Sequence, residues 1–151
     1  MNYPKLILSA VIILVVGTAF SWLTCGWLFN WVYTIPPLIW HTPETMMSAS
    51  SFALGILFGI VHALMFVLVY AVLYKGIPCL GAKKGLVYGF LMWLVGALAG
   101  MISMPVYMTI AWTVIIYWIA QALALNLING AIVGAIYKPK TAAPVQPPQQ
   151  N

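Results

Sequence analysis

Acidic and guanidinium side chains are almost missing from this chain of 151 residues. Glu44 is the single acidic residue, and the six basic residues are all lysine. Charged residues make up 5% of the composition and hydrophobic residues 64%. Soluble domains contain about 25% charged residues on average. A chain with so few polar side chains cannot cover the surface of a water-soluble fold, and its composition therefore indicates an integral membrane protein.

The scarcity of acids also excludes most catalytic machinery. The sequence has no pair of carboxylates, no nucleophile elbow and no phosphate-binding glycine loop. Its two histidines and two cysteines are too few and too widely spaced for a haem or transition-metal site. We therefore expect a protein that is not an enzyme, with no catalytic residue, no metal and no cofactor.

Positive charge is present, but only in short clusters separated by long apolar segments. The net charge is +5, and the lysines lie at positions 5, 75, 83, 84, 138 and 140. Nucleic-acid binding requires a contiguous basic face, which these clusters do not form. Separate lysines between apolar segments are typical of chains that cross a membrane and contact anionic headgroups. The expected partner is the lipid bilayer, and nucleic acid is excluded.

Four apolar segments are long enough to cross a hydrocarbon core, which requires roughly 20 helical residues. The sequence predicts helices at about 6–31, 43–74, 85–104 and 106–137. The first segment has no small-residue cleavage site at the proper distance, so we interpret it as a retained helix and not as a signal peptide. The prediction is an all-α polytopic membrane protein, with four transmembrane helices in one compact bundle over residues 1–137.

The lysines predict the orientation of the bundle. With four crossings, every lysine falls on one side, which the positive-inside rule assigns to the cytoplasm. Both termini are then cytoplasmic, and the expected location is the bacterial plasma (inner) membrane. Tyr74, Tyr88 and Tyr137 are predicted at the inner surface, and an outer aromatic belt contains Trp27, Trp31, Trp40, Tyr107 and Trp112. Residues 138–151, "KPKTAAPVQPPQQN", are rich in Pro and Gln and are predicted to form a disordered cytoplasmic tail.

Glu44 lies in a helix-start pattern in the loop after the first segment. Thr42 suits the N-cap, Pro43 the first helical position, and Glu44 the first turn, where the helix dipole favours an acid. The alternative is a contact of Glu44 and His41 with an external cation or a partner. A helix over 43–74 would be about 48 Å long at about 1.5 Å per residue. It must therefore project from the membrane, tilt, or break near residues 48–51.

Small residues spaced four apart mark probable helix contacts, because close packing drives association inside a membrane. Each of the four segments has such residues. The predicted packing positions are Gly17, Ser21, Gly55, Gly59, Gly85, Gly89, Gly96, Gly100, Gly130 and Gly134.

Three polar residues lie near the middle of the predicted helices. His62 shares a helix face with Gly55 and Gly59, while Gln121 and Asn126 lie in the fourth segment. Polar groups in hydrocarbon require a partner or a water-filled space. We therefore predict that His62 forms a hydrogen bond with Gln121 or Asn126, which would either fix helix register or form a polar centre for ion, proton or ligand handling.

The segments "LYKGIPCLGAKKGLVYGFLMWLVG" (73–96) and "NGAIVGAIYK" (129–138) contain a Lys-Gly turn, a Gly-x-x-x-Gly helix opening and a Gly-rich helix end. With these features the chain resembles uncharacterised small four-helix integral membrane proteins of bacteria. The resemblance implies the topology and supplies no function or site residue.

Three functions are compatible with the sequence. The first is a structural or accessory membrane protein that packs with itself, as a homo-oligomer, or with a larger membrane complex through its glycine faces. The second is a small transporter or channel-like protein with a polar centre at His62, Gln121 and Asn126. The third is a lipid- or quinone-binding protein, with Met92, Trp93 and Trp118 as an apolar wall.

Overall fold

The computed structural model describes residues 1–139, and it is helical with no β-strand in that range. Four helices are long and apolar enough to span a membrane. We number them spans 1 to 4, and they comprise Tyr3–Leu28, Ala49–Leu73, Gly81–Tyr107 and Trp112–Ile136. The all-α class and the four helices of spanning length are thus confirmed. The tail predicted over 138–151 lies outside the described residues from position 140 onward.

Spans 1 and 3 each change from an α-helix to a wider π-helix. Span 1 consists of α1 (Tyr3–Ser21) and a π-helix (Trp22–Leu28), followed by a 3-10 turn (Asn30–Thr34). Thr24 Oγ1 donates to the carbonyl of Phe20 at 2.8 Å, so a side-chain hydroxyl bonds to the backbone at this transition. Span 1 ends at Leu28, three residues before the predicted position 31, and Asn30 and Trp31 belong to the 3-10 turn that follows.

Span 3 is also interrupted along its length. It consists of α4 (Gly81–Met92), a π-helix (Trp93–Leu98), α5 (Ala99–Met101) and α6 (Met104–Tyr107). It therefore begins four residues before the predicted position 85, which places Lys83 and Lys84 on the helix and not in a loop.

The helix predicted over 43–74 is divided in two. The short α2 (Pro43–Met46) precedes α3 (Ala49–Leu73), with a break at Met47 and Ser48. Ser48 is the N-cap of α3, and its hydroxyl accepts a hydrogen bond from the Ser51 N–H at 3.3 Å. A capping serine satisfies an N–H that a continuous helix would have bonded internally, which favours a new helix start at this point.

The helix predicted over 106–137 is divided as well. Pro105 lies in the first turn of α6, and the continuous fourth helix is α7 (Trp112–Ile136). Met108 and Ala111 have extended ψ angles of 144° and 136°, which are incompatible with helix continuation. Residues 106 and 107 therefore belong to the end of span 3, and the connection to span 4 is only a few residues long.

The lysine-bearing ends of the four spans meet at one end of the molecule. Asn2 Nδ2 donates to the carbonyl of Lys138 at 3.1 Å, which joins the start of span 1 to the end of span 4. Lys84 Nζ donates to the carbonyl of Tyr74 at 2.8 Å, which joins the start of span 3 to the end of span 2. We call this end, formed by residues 2–5, 74–84 and 137–138, the lysine end, and the opposite one the far end.

Tyrosines form part of the main core near the lysine end. Tyr88 and Tyr137 are each 1% exposed, and the Tyr88 hydroxyl donates to the carbonyl of Phe66 at 2.7 Å. Both rings therefore pack inside the chain near the lysine end, and they do not project outward as the residues of an interfacial aromatic belt do. The core cluster contains Leu6, Ala10, Ile13, Ala63, Phe66, Val67, Tyr70, Ile77, Tyr88, Val133 and Tyr137.

Glycines bring α4 and α7 into direct backbone contact. A Cβ built at Gly85 would overlap the carbonyl of Gly130, and one built at Gly89 would overlap the carbonyl of Asn126. A Cβ built at Gly134 would come 2.7 Å from the Gly85 nitrogen. Only glycine permits this approach, so these four glycines of the predicted packing set lie in one helix–helix contact.

The remaining predicted packing positions differ from one another. A Cβ at Gly59 would come 2.8 Å from Leu14 Cδ1, and one at Gly17 would lie 3.6 Å from Leu125 Cδ1, so both glycines lie at helix contacts. Gly55, Gly96 and Gly100 have no described atom within 4 Å of such a Cβ. None of these three glycines packs between spans of this chain. Gly55 lines a groove, as does the predicted position Ser21. Gly96 and Gly100 are exposed and face outward.

Candidate functional site

Span 2 packs against the other spans along only half of its length. Its buried residues are Ala63, Phe66, Val67 and Tyr70, all in the half nearer the lysine end. In the other half large apolar side chains are exposed, including Phe52 at 68% and Phe58 at 65%. Span 2 therefore diverges from span 1 toward the far end.

The divergence opens a groove between spans 1 and 2 with a volume of about 640 Å³. Pockets that bind small molecules usually measure about 300–1,000 Å³. The groove extends from Trp22 and Met46, near the far end, to Ile13 and Ala63 in the interior. Its walls are mainly apolar. Gly17, Gly55 and Gly59 line it without side chains that would narrow it.

Asn129 of α7 contributes to the deep part of the groove and has an unsatisfied polar atom. The residue is 1% exposed, and its Oδ1 is buried without a hydrogen-bond partner in the described chain. The oxygen lies beside Gly17, where an added Cβ would come within 3.9 Å of it. Burying an unpartnered carbonyl oxygen costs about 1–3 kcal/mol. The structure therefore retains a costly acceptor beside a glycine that lines the groove.

His62 lines the same groove from span 2. The side chain is exposed, and its ring packs near Phe66 with a centroid distance of 6.0 Å. Among the hydrogen bonds of the described residues, none joins His62 to Gln121 or Asn126. The hydrogen bond predicted from the sequence does not form, because Gln121 donates to Thr24 and Cys25 and Asn126 donates to the carbonyl of Ala122.

Gln121 instead joins span 4 to the π-helix of span 1. Its Nε2 donates to Thr24 Oγ1 and to Cys25 Sγ, both at 2.9 Å. It also lines a second cavity of about 340 Å³, which includes Met101 and Trp118. The two cavities share Ser21, Cys25 and Leu125 as lining residues.

Asn126 bonds within its own helix, since its Nδ2 donates to the carbonyl of Ala122 at 2.8 Å. Its backbone carbonyl contacts Gly89 in the packed interface of α4 and α7. The three polar residues predicted as one centre therefore lie in three separate environments.

An aromatic cluster covers the far end of span 4. Trp118 Nε1 donates to the Tyr33 hydroxyl at 3.0 Å, and Trp40 packs against both rings at centroid distances of 5.0 and 5.8 Å. Burial raises the pKa of Tyr33 above its ordinary value, so this phenol remains neutral. The cluster closes the far end of spans 1 and 4 with neutral groups.

The apolar wall predicted from Met92, Trp93 and Trp118 is not a single surface. Trp93 Nε1 donates to the carbonyl of Ile119 at 2.9 Å, and Met92 packs against the main core. Trp118 alone lines one of the two cavities. Of the two cavities, the one of about 640 Å³ lies between spans 1 and 2.

The Glu44 segment lies at the surface. A helix begins at Pro43, the Thr45 N–H donates to Thr42 Oγ1 at 3.4 Å, and Glu44 lies in the first turn. The pKa of Glu44 is lowered by its own backbone N–H and by the Thr42 hydroxyl. Within residues 1–139, no three His, Cys, Asp or Glu side chains are close enough to hold a metal ion.

Asn129 was not selected from the sequence, although a signal was available. Its neighbours four residues away are Leu125 and Val133, so this amide interrupts a row of apolar residues. A polar residue on such a face of a membrane helix is a candidate functional residue. Asn126 was preferred because it shares its face with small residues, which in the structure mark backbone contact.

Comparisons of this chain with protein-family models, with curated proteins and with solved structures found no match.

Proposed function

We propose that the chain is an integral membrane protein that binds a lipid-sized apolar molecule in the groove between spans 1 and 2. The observation that carries the proposal is the buried, unpartnered Oδ1 of Asn129 in the deep part of a mainly apolar groove. Small-molecule sites characteristically combine apolar walls with a few placed polar groups that orient the ligand. Asn129 and His62 are such groups.

The proposal includes an orientation. All lysines of the described residues belong to segments at the lysine end, and we assign this end to the cytoplasm of a bacterial inner membrane by the positive-inside rule. The divergence of span 2 then opens the groove within the outer leaflet. A ligand would enter from the lipid phase between spans 1 and 2.

Conduction through the bundle has less support. His62, Gln121 and Asn126 do not form a continuous polar path, since each lies in a different environment. The spans also contain no carboxylate to carry a proton or bind a cation. The groove is accessible from the side of the bundle, which suits binding from lipid.

Gly55 offers a direct test, because a side chain at this position would extend into the open groove without meeting the backbone. We expect Gly55→Leu to fold normally and to lose bound ligand. Wild-type protein, purified in mild detergent, should retain a small apolar molecule near one copy per chain by mass spectrometry. Retention should fall about tenfold or more in the variant.

Gly96→Leu is the matched control, since Gly96 also has open space around it but does not line the groove. Its retention should equal that of the wild type. Equal retention in Gly55→Leu, or no stoichiometric molecule in the wild type, would contradict the proposal.

A second candidate function is the accessory or self-associating protein expected from the sequence. Its support is that Gly96 and Gly100 form an unoccupied Gly-x-x-x-Gly pair, with no described atom within 4 Å. Native mass spectrometry of the Gly100→Leu variant tests it. A shift from dimer to monomer relative to wild type would favour this function, and a wild-type monomer would eliminate self-association.

A further inference from the structure

We infer that the groove selects an uncharged, lipid-soluble alcohol or phenol, whose hydroxyl donates a hydrogen bond to Asn129 Oδ1. This inference rests on the proposed function and specifies the chemistry of the ligand. It depends on three features of the groove: the kind of polar atom that lacks a partner, the charge of the lining residues, and the depth of the polar groups.

The unpartnered atom of Asn129 is an acceptor. A ligand with a hydroxyl group can donate to Oδ1, whereas a ketone, ether or ester offers only acceptors and leaves the oxygen unsatisfied. Sites built to hydrogen-bond a hydroxyl strongly disfavour the analogue that lacks it, for the same reason. The groove should therefore prefer a hydroxyl-bearing molecule over its methyl ether, and a quinol over a quinone.

No described residue of the groove lining would neutralise a charged ligand. Within residues 1–139 the lining contains no Lys, Asp or Glu, and His62 and Cys25 are its ionisable residues. An unpaired charge is costly away from water. The ligand should therefore be uncharged, which excludes phospholipids and fatty acids in their ionised forms.

The depth of the polar groups also excludes ordinary membrane lipids. His62 lies about 20 Å along α3 from Ala49, at about 1.5 Å per residue, which places it near the middle of a hydrocarbon core of about 30 Å. Side chains of a helix tilt toward its N-terminus, so the Asn129 amide leans toward the far end and into the same depth range. A phosphate headgroup at the membrane surface cannot reach these groups.

The resulting ligand geometry is specific. The hydroxyl lies deep, beside Gly17, and donates to Asn129, while the imidazole of His62 is available as a second partner. The apolar body extends along Gly59, Gly55 and Phe52 toward the far end. Long-chain alcohols, prenols and quinols share this arrangement of one buried hydroxyl and an apolar body.

The test uses the full chain in lipid nanodiscs and two photoreactive probes, a diazirine-bearing hexadecanol and its methyl ether. Both probes are supplied at the same mole fraction, and labelled peptides are identified by mass spectrometry. We expect the alcohol to label groove residues about tenfold more than the ether. This comparison uses unmodified protein, so its outcome does not depend on the folding of any variant.

Two asparagine variants then assign the effect. Asn129→Leu should reduce labelling by the alcohol to the level of the ether, because the acceptor is lost. Asn126→Leu removes an amide of the same helix that bonds to Ala122 and does not line the groove, so the preference for alcohol should remain.

The outcomes distinguish this inference from the proposed function. Equal groove labelling by alcohol and ether, abolished for both in Gly55→Leu, would overturn the inference and leave the binding function supported. Labelling of groove residues that never exceeds the Gly55→Leu level for either probe would overturn both. A preference for alcohol that persists in Asn129→Leu would also overturn the inference, because another residue would then supply the acceptor.

Discussion

The two halves of the molecule are built by different kinds of contact. Near the lysine end, α4 and α7 touch backbone to backbone at glycines, and tyrosines fill the core between the spans. Toward the far end, spans 1 and 4 are joined by side-chain hydrogen bonds such as those of Gln121, and span 2 diverges. The first half is closely packed, while two cavities open toward the far end, one of which reaches inward to Ala63.

The difference shows how a bundle of apolar helices can combine a closely packed region with a more open one. Backbone contact at glycine fixes the distance between two helices, because no side chain can rearrange to relieve a change. Side-chain bridges between spans 1 and 4 leave a wider gap than glycine contacts do. The groove opens toward the far end, where span 2 has no buried residue.

The largest effect is expected from a single methyl group in the closely packed half. Gly85→Ala places a Cβ on the carbonyl of Gly130, and neither backbone can move away without separating α4 from α7. We expect a loss of about 3 kcal/mol or more in the free energy of unfolding. Thermal unfolding in detergent measures it. Gly96→Ala, which has open space around it, should change stability by less than about 1 kcal/mol. Equal melting temperatures for the two variants would contradict the comparison.

A smaller effect is expected from the tyrosine core. Tyr88→Phe removes a hydroxyl that donates to the carbonyl of Phe66 at 2.7 Å within the buried contact of spans 2 and 3. Hydrogen bonds between membrane helices contribute about 0.6 kcal/mol on average, with a maximum near 1.7. We expect a loss of about 1 kcal/mol in unfolding experiments. Tyr107→Phe, at an 84% exposed residue, is the control that should leave stability unchanged.

The far half should respond to mutation by opening. Gln121→Leu removes the hydrogen bonds to Thr24 and Cys25, and we expect a stability loss below about 1 kcal/mol. The sharper measurement is the rate of maleimide labelling of Cys25, which should rise about threefold or more while the exposed Cys79 is labelled at an unchanged rate. An unchanged Cys25 rate would mean that Gln121 does not hold spans 1 and 4 together.

The smallest effect concerns the loop between spans 1 and 2. The pKa of Glu44 is lowered in the folded chain, so its stabilising contribution to α2 is present above the unfolded pKa, about 4.3. It is lost as the pH falls through the lower folded pKa. Backbone chemical shifts of residues 43–46 should therefore change only in strongly acidic solution. Glu44→Gln should show no such change, and a change at neutral pH would contradict the assignment.

Part of the fold could be predicted because the membrane imposes strict rules on sequence. The length and hydropathy of four segments indicated four spanning helices, and the lysines indicated which ends meet. The break at Ser48 was one of the alternatives expected, since the segment exceeded the membrane thickness. The interruption at Met108 was missed, because Pro105 suits the start of a short helix as well as that of a long one.

The candidate site was predicted less well, and the reason is physical. Helix periodicity places His62 on the small-residue face of span 2, and that face does line the groove. Periodicity cannot reveal that span 2 diverges, since this depends on where a neighbouring helix stops supporting it. The predicted partners Gln121 and Asn126 were therefore paired with the wrong neighbour, and Asn129 was overlooked on its apolar face.

The hydrogen bond from Asn2 to the carbonyl of Lys138 brings residues from the two extremes of the described chain together. A short peptide linker could join these positions, and the chain could be reopened at the exposed Cys79 between spans 2 and 3, giving a circular permutant with its new ends on the same side. Complementary fragments of a split fluorescent protein, fused near Asn2 and Lys138, should likewise reassemble within one molecule. Such a reporter would register whether spans 1 and 4 remain together during insertion, independently of any ligand.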